Sequence, residues 1–66
     1  MVTVNGTRIE FREDMALADA LAAAGIDIGE AILITVDGVY IEKSSARHAV
    51  VGDGAEIVVM PILSGG

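Results

Sequence analysis

The first eleven residues alternate between apolar and other side chains with the period of two that is typical of half-buried strands. Val2 and Val4 set this alternation in the first segment, and Ile9 and Phe11 set it in the second. Asn5-Gly6 lies between the two segments and favours the positive backbone φ angles of a tight turn. The pattern therefore predicts a β-hairpin at the start of the chain.

An alanine-rich segment with helical periodicity follows, from Met15 to Ala24. Glu13 and Asp14 precede it, where carboxylates interact favourably with the positive end of a helix dipole, and Gly25 is suited to cap its end. The apolar positions that share one face of this helix are Leu17, Ala20, Leu21 and Ala24. Because these side chains are small, we expect the helix to lie close to a sheet.

The second half of the chain contains three further strand patterns separated by turn signals. A connector at 26–30 leads into an apolar central strand at 31–36, and a short return strand at 39–41 follows the turn Asp37-Gly38. A loop with a turn of helix is predicted at 42–48. The last strand is predicted at 56–60, after the turn Gly52-Asp53-Gly54. The resulting order is β, β, α, β, short β, β. We therefore predict an α+β fold of the β-grasp (ubiquitin-like) type over residues 1–60, with a mixed sheet of four to five strands packed on one helix.

Residues 61–66 are predicted to form a flexible C-terminal tail that ends in Gly65-Gly66. Pro61 cannot donate to a sheet ladder, so it is suited to end the strand. Glycine has no Cβ, and a tail of this kind can therefore enter a channel that is too narrow for side chains. We interpret the tail as a substrate whose reactive group is the α-carboxylate of Gly66.

Alternation along the last strand predicts which side chains leave the core. If Ile57 and Val59 face the helix, Val58 and Met60 lie on the open face of the sheet, just before the tail. Exposed apolar side chains beside a functional terminus are typical of a recognition surface. We therefore predict a partner docking patch at Val58 and Met60.

Composition limits the partners and the chemistry. Ten acidic residues against four basic ones give a formal charge of −6, which repels nucleic acid and anionic lipid and favours a basic docking surface on a protein partner. There is no cysteine, the only histidine is His48 in a polar segment, and no spacing of a calcium loop or a phosphate-binding loop is present. We expect no catalytic residue, no metal site, no nucleic-acid partner, no membrane partner and a cytoplasmic location.

The β-grasp order, the short chain, Val36-Asp37-Gly38, Asp53-Gly54 and the terminal Gly65-Gly66 together resemble the ubiquitin-like sulfur carriers, the ThiS and MoaD family. In that family an activating enzyme that uses ATP and magnesium adenylates the C-terminal glycine, which is then converted to a thiocarboxylate. The resemblance implies that Gly66 is the adenylation and thiocarboxylate site and that this chain binds no cofactor itself. It also implies two partners, a ubiquitin-activating-like adenylating enzyme and a sulfur-accepting synthase. The residues expected to thread the channel of the partner are Gly65, Ser64, Leu63 and Ile62.

Two features of the sequence point to different branches of that family. The opening Val2-Thr3-Val4-Asn5-Gly6 and the length of 66 residues are similar to ThiS, which delivers sulfur for the thiazole ring of thiamine. Pro61 is similar to the tail of MoaD, the small subunit of molybdopterin synthase. A protein modifier joined to lysine and a passive interaction domain stay open as alternatives to a sulfur carrier.

Overall fold

Five strands form one mixed sheet in the computed structural model, which describes residues 1–61 and the side chains of all of these except 31, 32 and 61. The elements are β1 (Val2–Val4), β2 (Thr7–Ile9), α1 (Leu17–Ala23), a 3-10 turn (Ile28–Glu30), β3 (Ala31–Val36), β4 (Val39–Ile41), α2 (Lys43–Ala46) and β5 (Glu56–Pro61). The strands lie in the order β2-β1-β5-β3-β4, with β1 parallel to β5 and the other neighbours antiparallel. This arrangement confirms the predicted α+β fold of β-grasp type.

Both hairpins close through two-residue turns whose central residues have positive φ. Asn5 and Gly6 have φ angles of 50° and 84°, and Asp37 and Gly38 have φ angles of 52° and 83°. Asparagine and aspartate tolerate this left-handed region, and glycine adopts it without a steric penalty. The two turns that the sequence predicted are therefore confirmed, and each of them joins strands that are neighbours in the sheet.

The helix begins two residues later than the sequence predicted, because the residues before it pair with another segment. Ala16 has an extended backbone and forms an isolated antiparallel bridge with Val50. On either side of this bridge, the amide of Leu17 donates to the carbonyl of Ala49 at 2.9 Å, and the amide of Val51 donates to the carbonyl of Met15 at 2.9 Å. Met15 and Ala16 thus fit the helical periodicity of the sequence but pair with a distant segment instead. The predicted start of the helix at Met15 was therefore wrong.

The end of α1 has the hydrogen bonds of a Schellman motif. Gly25 has a φ angle of 80°, its amide donates to Ala22 at 3.0 Å, and the amide of Ile26 donates to Leu21 at 2.8 Å. The predicted cap at Gly25 is therefore confirmed. Ile26 is half-buried and packs against the core, which completes the hydrophobic contact that accompanies this motif.

The core lies between α1 and one face of the sheet. Leu17, Ala20 and Leu21 on the helix have no exposed surface, as the shared face predicted. The sheet contributes the buried side chains of Val2, Val4, Ile9, Ile34, Ile57 and Val59. α2 adds Ala46, which is fully buried. The turn of helix predicted within 42–48 is therefore confirmed, and it covers part of the same face as α1.

Ile57→Val should lower the free energy of unfolding by about 1 kcal/mol, because it removes one buried methylene from the strand at the centre of the sheet. Val58→Thr is the matched control, since Val58 is the next residue and its side chain is exposed. This control should change the free energy of unfolding by no more than about 0.5 kcal/mol. Urea unfolding of both variants measures the difference, and equal losses would contradict this assignment of the two faces.

Candidate functional site

One face of the last strand packs against the core, and the opposite face is exposed to solvent. Ile57 and Val59 are 0% and 4% exposed, whereas Val58 and Met60 are 50% and 54% exposed. The predicted alternation is therefore confirmed, and Val58 and Met60 lie on the open face of the sheet. Their role in docking stays a prediction.

Strand register brings further residues to the same face. Met60 pairs with Leu33, Val58 pairs with Thr35, and Thr35 pairs with Tyr40 on the edge strand. Directly paired residues of neighbouring strands point to the same side of a sheet. The five residues that share this side are Leu33, Thr35, Tyr40, Val58 and Met60, which we call the open-face patch. Tyr40 is exposed, and Leu33 and Thr35 are half-buried.

Sequence reasoning named only two of the five residues in the open-face patch. The Asp37-Gly38 turn fixes the register of β3 against β4, so the pairing of Thr35 with Tyr40 could have been inferred from it. The register of β3 against β5 is set between segments that are distant in sequence. No local signal therefore placed Leu33 beside Met60.

Toward β1 and β2 the open face becomes polar. Thr3 pairs with Glu56 in β5 and with Arg8 in β2. Glu56 and Arg8 are exposed, and Thr3 is half-buried. The open face thus has an apolar region next to the end of β5 and a polar region next to its start. Protein-binding surfaces usually combine apolar and polar regions, and this face has one of each, side by side.

Two turn residues hold the backbone of β5 through their side chains. The amide of Val59 donates to Oδ1 of Asn5 at 2.8 Å, and Nδ2 of Asn5 donates to the carbonyl of Val59 at 3.1 Å. The amide of Glu56 donates to Oδ1 of Asp37 at 2.9 Å, and the backbone amide of Asp37 donates to the carbonyl of Glu56 at 2.8 Å. Sequence reasoning interpreted Asn5 and Asp37 only as turn formers and missed these contacts.

β5 extends through Pro61, which pairs with Ala31, so the strand ends one residue later than predicted. The tail residues that the sequence analysis named, Ile62, Leu63, Ser64, Gly65 and Gly66, lie outside the described residues. The structure describes the strand that leads into these residues and the open face of the sheet beside it. The open-face patch and the last described residue of the chain therefore meet at one end of β5.

A groove of about 340 Å³ lies elsewhere, and it is lined by Arg8, Ile9, Glu10, Arg12, Met15 and Ala23. None of its lining residues belongs to β3, β4 or β5, so it is separate from the open-face patch. Within residues 1–61 no group of three or more histidine, cysteine or acidic side chains is placed to hold a metal ion. In the same part of the chain, neither helix combines the length and hydropathy that crossing a bilayer requires. His48 is exposed and follows α2.

Asp53 has a perturbed carboxyl group at the opposite end of β5 from the tail. Its Oδ1 accepts a hydrogen bond from the α-ammonium group of Met1 at 2.6 Å, and both side chains are exposed. This hydrogen bond, together with the positive charge of the ammonium group, lowers the pKa of Asp53 below its usual value. The contact joins the start of β1 to the turn that precedes β5.

Comparison with known protein families gives a match that covers almost the whole chain. The family model described as the ThiS family matches residues 2–66, which is all of the chain except its first residue. The match thus includes both the sheet and the terminal Gly65-Gly66. No curated protein and no solved structure matches the chain.

Acetylation of the Met1 α-amino group should raise the pKa of Asp53 toward its usual value, because it removes the positive charge beside the carboxylate. The carboxyl carbon shift of Asp53, followed by NMR across the acidic range, measures this change, and Asp53→Asn confirms the assignment. A lowered pKa in the folded state stabilises the fold above the unfolded-state pKa, and this stability is lost as the pH falls through the lowered value. An unchanged Asp53 pKa after acetylation would contradict the assigned cause.

Proposed function

The chain belongs to the ThiS family of ubiquitin-like sulfur carriers, and we propose that Gly66 is adenylated by a partner enzyme and then carries sulfur as a thiocarboxylate. Members of this family are small carrier proteins rather than enzymes, and they generally work with adenylating enzymes and sulfur-accepting partners. The observation that carries the proposal is the extent of the family match, which continues past β5 to Gly66.

The proposed chemistry begins with an unreactive carboxylate. A carboxylate oxygen of Gly66 bonds to the α-phosphorus of ATP, and the bond from that phosphorus to the bridging oxygen breaks, so that pyrophosphate leaves with the electron pair. Hydrosulfide then attacks the carbonyl carbon of the acyl-adenylate, and the carbon–oxygen bond to AMP breaks. The products are the thiocarboxylate, AMP and a proton. Adenylation is needed because it gives the carbonyl carbon a leaving group.

Glycine suits this role because its carbonyl carbon has no neighbouring Cβ to hinder the nucleophile. Gly65, Ser64, Leu63 and Ile62 would occupy the channel that leads to the active site of the partner. ATP and Mg²⁺ are assigned to the partner, whose residues would carry the catalytic groups. This chain then contributes a reactive terminus and a body that the partner recognises.

The open-face patch is the proposed docking surface for the adenylating enzyme. It lies beside the end of β5, so a partner that covers Val58 and Met60 is also next to the start of the tail. Burial of these exposed apolar side chains supplies binding free energy. The acidic excess of the chain favours basic residues around the matching surface of the partner.

The thiazole ring of thiamine is the proposed destination of the sulfur, because the family model that matches is that of ThiS. A thiazole-forming synthase would then be the sulfur-accepting partner. Since adenylation consumes ATP, we place the reaction in the cytoplasm. Delivery to a molybdopterin precursor, or a bond to lysine of another protein, would contradict this destination.

Deletion of Gly66 should abolish adenylation while leaving every residue of the sheet in place. ATP–pyrophosphate exchange with the adenylating enzyme of the same organism measures the first step alone. A variant extended by one alanine after Gly66 should also be inactive, because its carboxylate is displaced from the reacting position. Exchange at the wild-type rate in either variant would overturn the proposed role of Gly66.

Val58→Glu and Met60→Glu should each raise the Kd for the adenylating enzyme about tenfold or more, because a carboxylate buried in an interface loses hydration without gaining a partner. Val50→Glu is the matched control, since Val50 is 62% exposed and bridges to Ala16 outside the sheet. This control adds the same charge to an exposed valine and should leave the Kd unchanged. Equal Kd values for all three variants, measured by calorimetry without ATP, would contradict docking through the open-face patch.

A further inference from the structure

The pairing between β1 and β5 stops before β5 ends. β1 pairs with β5 only as far as Val4 with Ile57, because the chain then turns back through Asn5-Gly6 into β2. β5 continues to Pro61. The part of β5 that leads into the tail therefore extends beyond its strand partner on the β1 side.

The side chain of Asn5 takes the place of that missing partner. A carboxamide carries the same donor and acceptor as a peptide unit, and Val59 uses both, at 2.8 Å for its amide and 3.1 Å for its carbonyl. The backbone amide of Asn5 also donates to the carbonyl of Ile57 at 2.9 Å. Asn5 therefore continues the ladder from Ile57 to Val59 without a further residue of β1.

On the edge of β5 that faces β1, no residue after Val59 within the strand has an amide hydrogen that needs a hydrogen-bond partner. Alternate residues of a strand direct their backbone groups to the same edge, so the nitrogen of Pro61 follows that of Val59. Proline has no hydrogen on this nitrogen. On the opposite edge, the register against β3 shifts between Leu33 and Ala31, so the ladder is irregular there. Among the side chains that the structure describes, the Asn5 carboxamide thus forms the last hydrogen bonds to β5 before residue 62.

We infer that Asn5 is a positioning residue for the reaction at Gly66, and that it acts by holding Val59. Its carboxamide fixes the strand end from which residues 62–66 continue, and with it the place of Met60 in the open-face patch. If this end of the strand frays, it must become ordered again when the partner docks. The conformational entropy that it loses then weakens binding, so KM rises. The kcat is set after docking and should change little. This inference rests on the proposed function of Gly66.

The other hairpin supplies a matched control. Asp37 has nearly the same φ as Asn5, it also precedes a glycine, and its side chain also bonds to β5. Its contact, however, is with Glu56 at the start of the strand, away from the tail. Asn5→Gly removes two side-chain hydrogen bonds from the tail end of β5, and Asp37→Gly removes one from its start. Glycine adopts positive φ without strain, so both turns remain possible.

The test is ATP–pyrophosphate exchange by the adenylating enzyme of the same organism, with the full-length chain as the varied substrate. For Asn5→Gly we expect KM to rise about tenfold, from the loss of two hydrogen bonds, with kcat within about twofold of wild type. For Asp37→Gly we expect KM within about twofold of wild type, although this variant also loses stability. Amide hydrogen exchange at Val59 should become faster in Asn5→Gly and not in Asp37→Gly.

An equal rise of KM in both variants would overturn the inference, because a general loss of stability would then explain the result. An unchanged KM in Asn5→Gly, with active wild-type protein, would overturn this inference alone. Wild-type protein without exchange activity would overturn the proposed function and this inference with it. If Asn5→Gly does not fold, Asn5→Asp keeps the acceptor for the Val59 amide and loses the donor, and its KM should rise about threefold. A wild-type KM in Asn5→Asp would then overturn the inference.

Discussion

The pairing of β5 with β1 on one side and with β3 on the other joins two hairpins that have no other strand pairing with each other. Each hairpin forms from residues that are close in sequence, whereas β5 comes from the end of the described chain and lies between them. Its pairing with β1 closes a loop of about fifty residues, which makes this the entropically costly step of the fold. Burial of Ile57 and Val59 in the hydrophobic core offsets that cost.

The same strand contributes both to stability and to the proposed docking surface. Its inward residues complete the core, its outward residues Val58 and Met60 belong to the open-face patch, and its end leads into the tail. Because alternation separates the two faces, the outward side chains can differ without opening a cavity in the core. The backbone cannot vary in this way, since Asp37 holds its start and Asn5 holds its end. A partner that binds this face would therefore contact a strand that is already ordered.

Local signals in the sequence were sufficient to predict both hairpins and to predict which side chains of β5 point away from the core. Asn5-Gly6 and Asp37-Gly38 identified both hairpins, and alternation identified Val58 and Met60 as outward residues. Thr35 and Tyr40 were missed although the Asp37-Gly38 turn fixes their register, whereas the other missed features depend on contacts between distant segments. Ala16 pairs with Val50 instead of starting the helix. Leu33 joins the open-face patch only through its register with Met60, and the Asn5 carboxamide reaches Val59, which is 54 positions away.

If Gly66 carries sulfur, the intact mass of the protein changes by a defined amount, and mass spectrometry measures this change. The wild-type chain would be incubated with lysate of its own organism, a sulfur source and ATP, and compared with a sample that lacks ATP. We expect an ATP-dependent gain in mass equal to the replacement of one oxygen by one sulfur, and fragmentation should place this gain on Gly66. A mass that stays unchanged with ATP, or a product joined to lysine of other proteins in place of the sulfur form, would contradict this expectation.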